Sequence, residues 1–274
     1  MSGIFNSQIF KIDHTSEIHF IDIKEIDETM SSFINQHFVR ICKGVNSRSS
    51  IEIVKKTAKK FFDSKDYNKR IGGTAEFFIH LYLLSLSFEQ QCMFLNKEEN
   101  AMKKGFDGYY TIGEDEWIME SKAGNSIDGS LHKSKIKEAY RSLSNQLKGV
   151  NKDKNDPWQN AFQHANSRDN EPTESLLRNL ELLSDDYVSE IYHLPEEFNI
   201  IPASTIFFKG EWNDVDRQVI LDDIKKYLLK IEFSRMLIIC CSKRTIDLFM
   251  DFLDVIERNE DNGKQRENTI EINQ

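Results

Sequence analysis

Apolar and polar positions alternate along this chain in two different periods, which predicts a mixture of strands and helices. Residues 18–23 alternate in the way of a strand. Apolar side chains then recur with helical spacing through 24–42 and 51–64. Farther along, a strand over 200–208 and one over 236–241 are each followed by a helical pattern. This order predicts an α/β protein.

The middle of the chain combines a hydrophobic helix with a hairpin. The helix is predicted over 72–96, with Thr74 as its cap and Glu76 in its first turn. The segments GFDGYYTI and EWIMESKA follow, and the turn-forming residues between them predict two antiparallel strands. A long basic helix is predicted next, over 130–148.

Composition narrows the class of protein. With 39% apolar and 11% aromatic residues, 274 residues can build a sizeable core. No apolar run approaches the roughly 20 residues that span a bilayer, and no secretion signal is expected at the N-terminus. The four cysteines lack CxxC spacing, so we expect neither a disulfide framework nor structural zinc, and a reducing cytoplasm fits. The net charge of −9 means that a polyanionic partner must meet a local basic patch.

A carboxylate two residues before a lysine is frequent in this chain and carries little information by itself. The D/E-x-K pattern begins at Asp22, Asp63, Glu120 and Asp223. On a helix, residues i and i+2 point apart, whereas on a strand they share a face. Glu120 alone combines a predicted strand with an upstream aspartate at hairpin distance, Asp107, and an upstream helical acid, Glu76.

These residues suit divalent-cation chemistry. Hairpin pairing can bring Asp107 near Glu120, and two carboxylates are what Mg²⁺ accepts from a protein when it also binds substrate phosphate. Lys122 would orient the attacking water or neutralise charge that develops on phosphorus. Glu76 could supply a third carboxylate, whereas His80, one turn later, is expected to be a histidine at the edge of the core.

The order of an acid on a helix, an aspartate at a strand and E-x-K on the next strand resembles the PD-(D/E)XK nuclease superfamily. Within it, the block G-x-x-E, G-F-D and W-x-x-E-x-K resembles the HamA family, the nuclease subunit of Hachiman anti-phage defence. One departure from the wider superfamily is that Phe106, not proline, precedes Asp107.

The resemblance implies a restriction-endonuclease-like core, a mixed sheet flanked by helices, with αβ additions at both ends. It implies a DNA nuclease that depends on Mg²⁺ or Mn²⁺, with Asp107, Glu120 and Lys122 as catalytic residues. Asp107, Glu120 and Glu76 would be the metal ligands. It also implies a superfamily 2 helicase partner, HamB. We expect an αβ segment over 1–70, core motifs over 71–150, a C-terminal α/β part over 151–262 and a frayed tail over 263–274.

The predicted helix after the hairpin carries a basic stripe. Lys133, Lys137 and Arg141 recur every four residues and therefore line one face of a helix. Such a stripe can bind nucleic-acid phosphates, and its affinity should fall with salt. A solvated lysine-rich face would give the same pattern.

Each candidate also has a simpler explanation. Glu120 and Lys122 could form an exposed ion pair, Asp107 could be a turn residue, and Glu76 could be an acid that favours a helix N-terminus. Two other functions stay open for the whole chain. One is a catalytically inactive PD-(D/E)XK-like module that binds nucleic acid or acts as a scaffold. The other is an interaction protein whose apolar C-terminal half docks a partner.

Overall fold

The computed structural model describes residues 3–95, 105–126, 131–150, 155–167, 169–208, 212 and 214–254. The strands are β1 (Asn6–Lys11), β2 (Ser16–Ile23), β3 (Glu89–Gln90), β4 (Gly108–Ile112), β5 (Asp115–Ser126), β6 (Asn199–Phe208) and β7 (Arg235–Lys243). The helices are α1 (Glu28–Lys43), α2 (Ile51–Asp63), α3 (Tyr67–Ser85), α4 (His132–Leu147), α5 (Pro157–Ala165), α6 (Glu174–Val188) and α7 (Arg217–Leu228). Residues 247–254 form a further helix, α8. The predicted tail, 263–274, lies outside the described residues.

The seven strands of the described ranges form one mixed sheet in the order β1-β2-β7-β6-β5-β4-β3. The four central strands, β2, β7, β6 and β5, are parallel, and β1, β4 and β3 pair antiparallel at the edges. Parallel neighbours need crossover connections, which the helices supply. The predicted α/β class with a mixed sheet flanked by helices is therefore confirmed, and it is consistent with a restriction-endonuclease-like core.

Helices cover both faces of this sheet. The core on one face combines side chains of α1, α2 and α3 with Trp117 and Met119 of β5. The core on the other face combines side chains of α4, α5, α6 and α7 with Ile118. Because successive strand residues alternate faces, Glu120 and Lys122 project on the same side as Ile118, towards α4.

Both boundaries of α3 differ from the prediction, and the helix ends at Ser85 rather than at residue 96, because the chain turns there and enters β3. The helix begins at Tyr67, because the Asp66 side chain accepts a hydrogen bond from the Lys69 N–H at 3.0 Å and caps it. Thr74 is buried within the helix and caps nothing, and Glu76 lies in the middle rather than in the first turn. The prediction that Glu76 is a first-turn acid is therefore wrong. Within α3, Gly73 lets the helix pack closely against α2, because a Cβ at this position would lie 2.9 Å from the Phe62 ring.

The hairpin prediction is confirmed, and the turn is shorter than the three residues, 113–115, that separate the two predicted segments. Ile112 pairs with Asp115, so two residues make the turn, and Gly113 adopts a φ of +61°. This left-handed conformation favours glycine.

The four cysteines are free and buried. Among the described residues, no helix is both long and apolar enough to cross a membrane.

Candidate metal and phosphodiester site

The β4–β5 hairpin brings Asp107 and Glu120 together. Gly108 pairs with Met119, so one further step of the same register places Asp107 across from Glu120. Facing residues of an antiparallel pair project on the same side of the sheet. Asp107 is held there because its Oδ2 accepts a hydrogen bond from the Ser121 N–H at 2.8 Å. The residue thus has a fixed orientation at the start of β4.

Glu120 is almost fully buried, with 4% of its surface exposed. Its Oε1 accepts hydrogen bonds from Lys122 Nζ at 2.5 Å and from Ser142 Oγ at 2.7 Å. Its Oε2 accepts one from Gln146 Nε2 at 3.3 Å. An exposed surface ion pair is therefore excluded as the explanation of Glu120 and Lys122. Helix α4 holds both oxygens of the carboxylate.

The charges of these residues act on one another. Burial raises the pKa of Asp107 well above its ordinary value, and the nearby charges of Glu120 and Glu76 raise it further, against the opposing effect of Lys122. Burial lowers the pKa of Lys122, but the charges of Glu120 and Asp107 outweigh this, so the pKa lies above its ordinary value. Lys122 is therefore a permanent cation at neutral pH. The excess of negative charge around Asp107 favours binding of a further cation.

Glu76 approaches this group from α3 and is connected to β4 through His80. Its Oε1 lies 3.3 Å from His80 Nε2, and His80 Nδ1 is hydrogen-bonded to the Tyr110 hydroxyl. A carboxylate only accepts, so this network assigns the His80 proton to Nε2 and leaves Nδ1 to accept from Tyr110. His80 is fully buried, deeper than the core edge expected of it. This network orients Glu76.

The donor set fits a divalent cation in part. Asp107 and Glu120 are oxygen ligands of the kind that Mg²⁺ and Mn²⁺ accept. Gln146 Oε1 is buried without a hydrogen-bond partner in the described part of the chain, and a water carried by a cation would donate to such an acceptor. Within those same residues, however, no three or more His, Cys, Asp and Glu side chains lie in a cluster close enough to hold a metal ion. Glu76 therefore belongs to the electrostatic surroundings of the pair, and its role as a ligand stays a prediction.

The basic stripe of α4 lies on a different side of the helix from Ser142 and Gln146. Lys133 forms an ion pair with Asp223 of α7 at 2.9 Å, and Lys137 Nζ lies 5.1 Å from the centre of the Tyr227 ring. Arg141 is exposed. The structure thus places the stripe along α7 and does not bring it to the carboxylates. Its binding to nucleic acid stays a prediction.

Three polar residues of this site escaped the sequence analysis, namely Ser142, Gln146 and Tyr110. The first two are four positions apart on α4 and so share a helical face beside the apolar residues Ala139 and Leu143. Two polar residues that interrupt a buried face at this spacing were an available signal. Tyr110 carried no such signal, because an aromatic residue on a strand is ordinary core.

Comparison with known proteins adds one finding. A family model described as HamA matches residues 5–254, which extends the likeness from the central motifs through both flanks. No curated protein matches the chain.

Proposed function

The chain belongs to the HamA family, and from this premise we propose that it is a metal-dependent DNA nuclease that hydrolyses phosphodiester bonds. Family membership suggests a component of Hachiman anti-phage defence. The observation that carries the proposal is the pair of Asp107 and Glu120 on one face of the sheet beside Lys122. An excess of buried negative charge costs free energy unless a cation balances it.

Each residue has a distinct part in the proposed reaction. Asp107 and Glu120 would hold Mg²⁺ or Mn²⁺, with Ser142 and Gln146 fixing the orientation of the Glu120 carboxylate. When bound, the cation polarises the phosphoryl group and lowers the pKa of a bound water. Lys122 stays protonated, so it neutralises charge that develops on phosphorus and orients water rather than acting as a base.

A delivery partner is part of the proposal. The chain has a net charge of −9, and Asp223 already neutralises Lys133 of the basic stripe. Long-range attraction to DNA is therefore weak. A superfamily 2 helicase of the HamB type would supply DNA to the site, and cleavage would follow once that helicase engages DNA.

The test is plasmid cleavage by the purified chain with Mg²⁺ or Mn²⁺, alone and with the helicase subunit. We expect cleavage that EDTA and Asp107→Ala both abolish. A chain that leaves plasmid and linear DNA intact under every one of these conditions, with the helicase present, is not a nuclease.

One observation favours an alternative, a catalytically inactive nucleic-acid-binding or scaffold module. Both oxygens of Glu120 already accept hydrogen bonds from the chain itself, as in a satisfied structural carboxylate. Phage protection that survives Glu120→Ala and Lys122→Ala would support this alternative and exclude the nuclease.

A further inference from the structure

The end of α6 and the loop that follows it expose apolar side chains that are not buried in either hydrophobic core. Val188, Ile191, Tyr192 and Leu194 are all exposed, as is Val150 after α4. Their exposed fractions run from 43% for Tyr192 to 76% for Val188. These five residues are called the apolar patch below. Contiguous exposed apolar side chains on a monomer mark an interaction site more often than scattered ones do.

Contacts with the end of α4 hold the patch together. The Tyr192 ring lies against Gly149, where a Cβ would be 2.1 Å from Tyr192 Cε1, so residue 149 has to lack a side chain. The His193 N–H donates to the Leu147 carbonyl at 3.3 Å, and the Tyr187 and Tyr192 rings meet edge to face at 5.3 Å. Val150 is thereby placed beside the loop.

The backbone of the loop is shaped to present these side chains. Glu190 adopts a left-handed φ of +60°, which a residue with a side chain rarely does. This turn lets the Ile191 N–H donate to the Asp186 carbonyl at 2.8 Å, closing the end of α6. Val188 and Ile191 consequently stay on the surface on either side of a fixed turn.

Acidic residues predominate on the α6 side of the patch, whereas the exposed Lys148 lies two residues before Val150 on its α4 side. The segment 181–197 contains Glu181, Asp185, Asp186, Glu190, Glu196 and Glu197. The same segment contains no lysine or arginine. Nucleic acid and anionic lipid are repelled by such a rim. A second copy placed symmetrically on the patch would set two acidic rims against each other, so self-association is disfavoured too.

We propose that the apolar patch is the docking surface for a partner protein whose contact face has an apolar centre edged by lysine and arginine. Apolar burial would supply affinity, and the charged rim would supply orientation and a fast encounter. The inference rests on the proposed function, in which the partner is the helicase subunit. It places that subunit at the carboxyl end of α4, the helix that holds Glu120.

The test measures binding of the purified helicase subunit to the full chain by biolayer interferometry. The patch variant is Val188→Glu with Ile191→Glu. The matched control is Leu229→Glu, which places the same charge on an apolar residue after α7 that is 88% exposed. We expect the patch variant to weaken binding at least about tenfold and the control to bind like the wild type. Glu190→Lys with Glu196→Lys, at two exposed acids, should mainly slow association, with a smaller salt dependence.

Three outcomes overturn the inference. In the first, the patch variant keeps its thermal stability and binds the helicase like the wild type, so the surface lies elsewhere. In the second, the chain alone sediments as a dimer that the patch variant dissociates, so the occupant is a second copy. In the third, the wild-type chain does not bind the helicase, which also removes the helicase partner from the proposed function while leaving metal-dependent cleavage to be judged separately.

Discussion

The D/E-x-K pattern occurs at two strands of the sheet, β5 and β2, yet only the occurrence on β5 lies in a carboxylate site. On β5, Glu120 and Lys122 project towards α4, opposite Asp107. At the second place, Asp22 lies on β2 and Lys24 follows the end of that strand. Asp22 is bonded to Arg217 of α7. The pattern is therefore common to both places, and the charged residues around it determine whether a cation can bind there.

Charge balance separates the two places most clearly. An arginine neutralises Asp22, and Lys24 Nζ lies 3.6 Å from Asp214 with both side chains exposed. Such an exposed pair contributes about 1 kcal/mol or less. Asp107 instead experiences the negative charges of Glu120 and Glu76 against the single ammonium of Lys122. A cation is attracted where the protein has left negative charge unbalanced, which is the β5 site.

The largest expected difference concerns the carboxylates. We expect Asp107→Asn and Glu120→Gln each to reduce plasmid cleavage on the order of 1000-fold, because each removes a charge that holds the cation. Asp22→Asn should cleave at the wild-type rate. The measurement is the initial rate of loss of supercoiled plasmid with Mg²⁺ or Mn²⁺. Equal losses of cleavage in the Asp22 variant and in the Asp107 and Glu120 variants would contradict the assignment of metal binding to the β5 site alone.

The two lysines provide the next contrast. Lys122→Ala should reduce cleavage by about 100-fold, since a cation placed beside the reacting phosphate is lost. Lys24→Ala should leave the rate unchanged. Steady-state rates at saturating metal separate this effect from metal binding. If Lys122→Ala is as active as the wild type, Lys122 is only the ion-pair partner of Glu120.

The residues on α4 should have a smaller effect that appears in metal binding. Ser142→Ala combined with Gln146→Leu should raise the Mg²⁺ concentration for half-maximal cleavage by about 10-fold to 100-fold, because Glu120 loses the donors that orient it. The rise in melting temperature on adding Mg²⁺ should shrink in parallel. Ser144→Ala, on the same helix, is the control. A lower rate with unchanged metal dependence would assign these donors a purely structural role.

The smallest effect concerns stability at Asp22. Burial raises the pKa of Asp22, and the nearby charge of Arg217 only partly offsets this. The folded protein therefore binds this proton more tightly than the unfolded chain does. Relative to Asp22→Asn, the wild type should lose stability, by about 1 kcal/mol or less, as pH rises above the ordinary value of 3.8. Urea unfolding of both proteins at pH 4 and pH 7 measures the difference, and the opposite sign would contradict it.

Local patterns predicted most of the elements. The hairpin followed from turn residues between two strands, and the α4 prediction followed from its apolar spacing. The start of α3 was not predicted correctly. Aspartate and threonine are both good N-cap residues, and the apolar residues that follow Thr74 favoured Thr74 over Asp66. In the folded chain, Thr74 faces a buried environment, and the cap that remains exposed is Asp66. A choice between two caps depends on which one the core covers.

The amino-acid sequence by itself determined the alternation of strands and helices, the hairpin, and the shared face of Glu120 and Lys122, since these depend on residues close together in the chain. Tertiary structure decided which acids meet. Glu76 of α3 lies near the pair and is oriented through His80 and Tyr110. Ser142 of α4, which packs on β5, donates a hydrogen bond to Glu120. Tertiary structure also placed Arg217 of α7 beside Asp22 and Asp223 of α7 beside Lys133 of the basic stripe. The physical reason is that charge balance at a site sums over neighbours from distant segments, and no local period encodes which segments those are.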